Sequence, residues 1–195
     1  MSERVSLRSV EWSTFQHVNP RGQQEVVIYT TNTNSDYKKC PQSVKVAAFD
    51  IDWCLVRPKG MKKYPKDSLD WEWLFPCIPD TLSRLRLEGY EIVMFSNQKL
   101  AGRSPKHFFL FQKRTKNFLR FLESWTVLSP VSGVLYRKPS IRLWELYERL
   151  FHGGHHVDRV GSIFVGDAAG RKDDFACSDR QFAYNVGCGR ISVLF

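Results

Sequence analysis

Short apolar blocks separated by polar turns run through the chain, and their spacing sets out the elements. Val44-Lys45-Val46-Ala47-Ala48-Phe49 reads as a strand that stops on Asp50-Ile51-Asp52. Pro58, Gly60 and Pro65 rule out a long helix in the stretch that follows. Ile78, Leu82 and Leu85 then recur at helical spacing with a proline at 79 in the first turn, and Gly89 closes that helix before the strand Tyr90-Glu91-Ile92-Val93-Met94-Phe95-Ser96. This is a βαβ unit. A second helix is predicted from about Lys106 to Glu123, with Phe111, Phe118 and Leu122 on one face and Lys113, Arg114, Lys116 and Arg120 left for solvent or a partner. A short strand near Gly133-Val134-Leu135-Tyr136 and a helix from about Ser140 to Phe151, packed through Trp144, Tyr147 and Phe151, come next. Ser162-Ile163-Phe164-Val165 is a buried strand that ends at Gly166-Asp167, with a helix from about Asp179 to Val186 behind it.

Strands alternating with helices predict an α/β fold: a doubly wound, mostly parallel sheet with helices on both faces. Residues 1–43 read as an N-terminal extension that carries an edge strand at Glu25–Thr30 and a loop-like Thr31–Asp36, and residues 44–195 as the main domain. Length agrees, because 195 residues with 43% hydrophobic content suit a single core.

Charge changes the picture more than length does. The formal net charge is +9, from 29 Lys and Arg against 20 Asp and Glu, so the long-range field favours a polyanionic partner. The five cysteines, Cys40, Cys54, Cys77, Cys177 and Cys188, show no C-x-x-C spacing and are read as free thiols of a reducing compartment. With no membrane-length apolar stretch and no signal-peptide core, the expectation is a soluble intracellular monomer, for which a nuclear location is compatible.

The candidate chemistry lies at the strand ends. Asp50 and Asp52 follow one strand, Ser96 and Asn97 the next, Lys138 a third and Asp167 a fourth, and a doubly wound topology gathers such positions on one rim. Together they suffice for phosphoryl transfer through a covalent aspartate. Asp50 is the nucleophile; Asp52 is the acid that protonates the leaving oxygen and the base that then activates water. An oxygen-rich site with few carboxylates suits Mg²⁺, with Asp50 and Asp167 as side-chain ligands and the Asp52 backbone carbonyl as a third. Ser96, Asn97 and neighbouring backbone N–H groups would bind the phosphate oxygens, and Lys138 would supply fixed positive charge.

On these residues the sequence resembles the haloacid dehalogenase (HAD) superfamily of phosphatases, and within it the 3′-phosphatase half of the polynucleotide kinase 3′-phosphatase family. The closer likeness rests on longer strings: Phe95-Ser96-Asn97-Gln98 with Gly102-Arg103, Leu135-Tyr136-Arg137-Lys138-Pro139, and Phe164 through Arg171 continuing to Asp174-Phe175, Asp179-Arg180 and Asn185. It covers roughly residues 44–189 and implies a Mg²⁺-dependent enzyme that removes 3′-phosphate from DNA ends before repair synthesis or ligation. It also implies that Asp174 is the second acid of the last motif and orients Lys138 or a metal-bound water, with Asp173 a bystander. The family's first motif reads Asp-x-Asp-Gly-Thr; here its last two places are Trp53 and Cys54, and a thiol holds the nucleophile less firmly than a hydroxyl. Cys54 has neither a C-x-x-C partner nor a histidine to make it a nucleophile itself.

Two absences narrow this further. No Gly-x-x-x-x-Gly-Lys-Ser/Thr loop occurs, so no kinase activity is expected. The stretch between Asp52 and the helix near Pro79 is too short for a large cap, and a minimal cap or none suits a polymer end. Arg57, Lys59, Lys62 and Lys63, with Arg103, Arg137 and Arg171, could line a path for single-stranded or nicked DNA ending in 3′-phosphate. The same catalytic set would also serve a sugar or histidinol phosphate, and a weakened set would leave a module that only binds DNA ends.

Overall fold

The computed structural model describes residues 10–32 and 44–193. Cys40 and the rest of the loop expected at 31–36 beyond Asn32 lie outside them. One seven-stranded sheet organises the chain in the order β1-β2-β7-β6-β3-β8-β9. Its strands are β1 (Ser13–Val18), β2 (Gln24–Thr31), β3 (Lys45–Phe49), β6 (Tyr90–Phe95), β7 (Thr126–Ser132), β8 (Asp158–Gly166) and β9 (Arg190–Val193). β3 lies between β6 and β8, and the pairs β3/β6, β3/β8, β6/β7 and β8/β9 are parallel. The pairs β1/β2 and β2/β7 are antiparallel, so β2 runs against both of its neighbours and β1 runs in the direction of β7.

Alternation along the strands divides the core in two. Ala47 and Phe49 of β3, Ile92 and Met94 of β6 and Val127 of β7 pack with α1 (Ile78–Leu87) and α2 (Pro105–Leu119). Val46 and Ala48, Val93 and Phe95, and Leu128 face the other way, against α3 (Arg142–Phe151) and α4 (Ser178–Val186). A period of two, buried on both faces, is why these strands read as continuous apolar runs. The fold is doubly wound α/β, with helices on both faces of a mostly parallel sheet.

Three expectations change. The strand placed at 133–136 is a turn, and the strand itself is β7, upstream. Pro130 hid it, although this proline sits beside the register shift between Val26 and Val27, where a missing N–H is tolerated. The Glu25–Thr30 strand is not an edge, because β1 pairs outside it; β1 is nearly all exposed and so left no apolar signal. Helix α2 ends at Leu119, not near 123.

Between Asp52 and α1 there is only a small two-stranded flap, β4 (Val56–Arg57) with β5 (Glu72–Trp73). Its intervening loop is pinned by Asp70, whose carboxylate accepts N–H bonds from Lys59 at 3.0 Å and Lys66 at 2.8 Å. Those backbone bonds hold its carboxyl below the usual range. No helix among the described residues is long and apolar enough to cross a membrane.

Candidate active site

The carboxyl ends of β3, β6 and β8 meet at the floor of an open cleft of about 1430 Å³, lined by Asp50, Asp52, Ser96, Asn97, Lys138 and Asp167. β3 is central, so Asp50 and Asp52 project between Ser96 from β6 and Asp167 from β8. Lys138 arrives from the loop after β7. Asn97 holds that loop in place: its side-chain amide donates to the Lys138 carbonyl at 3.1 Å and its oxygen accepts the Lys138 N–H at 3.0 Å. The Asn97 side chain is thereby spent on the backbone, leaving its own N–H as the part available to a phosphate.

Lys138 is buried and bridges two acids, with Nζ 2.9 Å from Asp50 Oδ1 and 2.7 Å from Asp179 Oδ1. Burial opposes its charge, yet the two carboxylates more than compensate and push its pKa up. Asp179 Oδ2 in turn accepts the Ala168 N–H at 3.1 Å. A side chain on Gly166 would collide with that carboxylate, which is why the strand exits through glycine. The acid that meets Lys138 is therefore Asp179, where Asp174 was expected. Asp174 points elsewhere: it accepts the backbone N–H groups of Ala169 and Arg171 and pairs with the Arg171 guanidinium at 2.9 Å. In the sequence Asp179 is an acid in the first turn of a helix, a feature too common to mark a site.

Asp52 is held at both oxygens. Arg114 Nη2 lies 2.6 Å from Oδ1, and Gln98 Nε2 donates to Oδ2 at 2.7 Å while lying 2.9 Å from Ser96 Oγ. Arg114 is buried, not left for solvent. The signal was in the spacing: it stands three residues after Phe111 and four before Phe118, on the apolar face.

The two departures in the first motif have distinct consequences. Trp53 adopts the left-handed conformation, φ 59°, which a glycine would accept without the roughly 1 kcal/mol cost of a β-carbon. Cys54 is buried, and its thiol donates to the Val165 carbonyl at 3.4 Å. That same carbonyl accepts the Asp50 N–H at 2.9 Å. Burial, reinforced by the Asp50 charge, pushes the thiol well above its ordinary pKa, so Cys54 is an anchor and not a nucleophile.

Oxygens of Asp50, Asp167 and Asp179 lie within 4.8 Å of one another, and this triad can hold a metal cation. Burial, and then the neighbouring acids, raise Asp50 to about 7 against the pull of Lys138, and raise Asp167 to about 6. The cluster carries more negative charge than one lysine balances. With both Asp179 oxygens engaged, Asp50 and Asp167 are the side chains left for an ion. These hard oxygen donors fit Mg²⁺.

The expected basic residues divide. Lys63, Arg103, Arg137 and Arg171 line the cleft, joined by Lys66, Lys99 and Lys106. Lys59 and Lys62 line a smaller cavity of about 300 Å³ beside the flap. Arg57 does not line the cleft and is paired with Glu72 at 2.8 Å.

Residues 45–189 match the model of a protein family described as polynucleotide kinase 3 phosphatase. The chain is 32% identical over 170 residues to a bifunctional polynucleotide phosphatase/kinase of Schizosaccharomyces pombe, covering 85% of this chain and 41% of that protein. It is 34% identical over 160 residues to the polynucleotide 3′-phosphatase ZDP of Arabidopsis thaliana, covering 74% of this chain and 23% of that one. It thus spans less than half the length of either relative. A crystal structure from Mesorhizobium loti, described as an HAD-like phosphatase, superposes with a TM-score of 0.61 at 17% identity, covering 83% of this chain and 76% of that one.

Proposed function

Because the chain belongs to the polynucleotide kinase 3 phosphatase family, we propose that it is a Mg²⁺-dependent phosphomonoesterase that removes 3′-phosphate from DNA ends through an aspartyl-phosphate. One observation carries this reading: a buried Lys138 bridges Asp50 and Asp179 at the floor of an open cleft lined by Lys63, Arg103, Lys106 and Arg137.

Lys138 occupies one Asp50 oxygen and leaves the other to attack phosphorus. As the new oxygen–phosphorus bond forms, the bond to the leaving 3′-oxygen breaks and that oxygen takes a proton from Asp52. Water then attacks the aspartyl-phosphate and gives its proton to Asp52, and the Asp50–phosphorus bond breaks to release inorganic phosphate. Ser96 Oγ and the Asn97 N–H bind phosphate oxygens, and Lys138 balances the charge that builds on them. Asp50, Asp167 and the Asp52 backbone carbonyl would hold Mg²⁺, which supplies further neutralisation of the phosphoryl oxygens. The open, basic cleft favours a polymer end over a small phosphate ester, because nothing encloses the substrate and the cations can follow a phosphate backbone.

Purified protein with Mg²⁺, given single-stranded and nicked oligonucleotides ending in 3′-phosphate, tests the reading. A 3′-hydroxyl product and free phosphate are expected, and none from Asp50→Asn. No product, or equal turnover by the variant, refutes it. Activity on sugar phosphates alone, insensitive to salt, would favour a metabolite phosphatase.

A further inference from the structure

Arg114 has no part in the steps above, yet its setting is unusual for a side chain that only packs. Its side chain is 3% exposed, and Nη2 reaches Asp52 Oδ1. Its Nε and Nη1 are buried with no hydrogen-bond partner among the described residues. A guanidinium kept in the core with two nitrogens unsatisfied works against stability, and such violations gather where function requires them.

The two Asp52 oxygens are held very differently. Oδ1 has the buried, charge-assisted contact with Arg114, whereas Oδ2 has Gln98 Nε2, a neutral donor divided between Oδ2 and Ser96 Oγ. Both side chains reach the open cleft, but Gln98 stands on the loop after β6, whereas Arg114 is anchored in α2 between the buried Phe111 and Phe118.

We propose that Arg114 is a positioning residue that pins Asp52 Oδ1 and so assigns Oδ2 to the leaving group, with Gln98 as its resting occupant. The inference rests on the phosphatase reading. Oδ2 gives its proton to the leaving oxygen as the phosphorus–oxygen bond breaks and the Asp50–phosphorus bond forms. It regains one from the water that breaks the Asp50–phosphorus bond. A misplaced Asp52 matters in proportion to the leaving group's need for a proton: an alkyl oxygen needs one, whereas p-nitrophenolate departs without it.

Arg114→Met and Arg114→Lys separate this from a packing role. We expect Arg114→Met to lower kcat about 100-fold on a 3′-phosphate oligonucleotide and on a small alkyl phosphate, with KM little changed. Single-turnover release of p-nitrophenolate from p-nitrophenyl phosphate should stay within about threefold of wild type, since that step needs no proton. Arg114→Lys, which keeps a cation near Oδ1, should recover at least about tenfold of the alkyl-ester loss. An equal loss on alkyl and aryl esters, or a loss confined to KM, would make Arg114 structural and overturn the proposal. Should Arg114→Met fail to fold by circular dichroism, Arg114→Lys carries the test, with an intermediate bias against alkyl leaving groups expected and no bias overturning it. Wild-type turnover of small alkyl esters without oligonucleotide turnover would refute the DNA assignment alone. No turnover of any ester would remove the phosphatase reading and this inference with it.

Discussion

Two buried groups of charge lie on different parts of the molecule, and they are built by opposite rules. On α3, Glu148 is 1% exposed and saturated: Oε1 accepts from Trp144 Nε1 at 3.0 Å, the Val157 N–H at 3.2 Å and Arg159 Nε at 3.0 Å. Its Oε2 meets Arg159 Nη2 at 2.5 Å and His156 Nδ1 at 2.8 Å. Burial pushes its pKa up, but these donors, Arg159 foremost, outweigh it and hold the carboxyl low. At the cleft floor three acids share one lysine, and Asp50 and Asp167 are driven up to about 7 and about 6. Burial alone therefore does not distinguish structure from function. The saturated carboxylate is complete as it stands, whereas the unsaturated cluster can still take a cation.

The sharpest way to break this contrast is to neutralise one acid from each group. Asp50→Asn should cost at least about 10⁴-fold in turnover, as expected for loss of a nucleophile, without lowering the melting temperature, since Lys138 keeps Asp179. Glu148→Ala should do the reverse, destabilising by about 3–5 kcal/mol because it strands Arg159 and the Trp144 N–H. Turnover per folded molecule should be unchanged. Denaturant melts and initial rates on the same preparations decide, and a Glu148 variant that is folded but slow would erase the distinction.

Proton competition gives the next largest effect. At the proposed Mg²⁺ site protons would compete with the cation for Asp50 and Asp167, so apparent Mg²⁺ affinity should fall about tenfold per pH unit below about 7, and more steeply below about 6. The sign for stability follows from the same shifts. Both folded-state values lie above the ordinary 3.8, so without metal these groups favour the folded state at low pH. That contribution is lost as pH rises toward about 6 to 7. The gain in melting temperature on adding Mg²⁺ should thus grow from pH 5.5 to 8. Glu148, held low, contributes nothing to this window. A gain independent of pH would mean that the ion binds elsewhere.

The same contrast between satisfied and open groups applies to the cations. Lys63 and Arg103 line the cleft without a carboxylate at ion-pair distance among the described residues, whereas Arg57 is engaged by Glu72. Oligonucleotide binding to the Asp50→Asn protein should show a salt slope smaller by about 1 for Lys63→Ala or Arg103→Ala, and unchanged for Arg57→Ala. An equal effect at all three positions would remove any role for pairing.

What the sequence made legible was whatever depends on position along a strand. Asp50, Ser96 and Asp167 could be read as strand-end residues because apolar runs lead into them. Less visible was anything that depends on which way a helical side chain turns, or on who bonds to whom. Arg114 looked solvent-exposed by type although its spacing placed it between Phe111 and Phe118. Asp179 and Asp174 are both acids near the start of α4, and only the bonds of Asp179 to Lys138 and Ala168 tell them apart. Strand β1, nearly all exposed, carried no apolar pattern to read.

The smallest effect concerns Cys54, where the chain departs from its family. The Val165 carbonyl anchors both the Asp50 N–H and the Cys54 thiol, so whatever strengthens one contact steadies the backbone under Asp50. A sulfhydryl at 3.4 Å is a weak donor; a hydroxyl in the same place makes a stronger bond with little change of volume. Cys54→Thr should therefore stabilise the fold by about 0.5–1.5 kcal/mol. Turnover should rise about two- to fivefold, half a decade being what so small an improvement in positioning is worth. Because burial holds the thiol far from ionisation, maleimide at pH 8 should label exposed Cys77 in the native protein and leave Cys54 untouched. A Thr variant that is slower than wild type, with the fold intact, would mean that the thiol fits this site better than the hydroxyl it replaces.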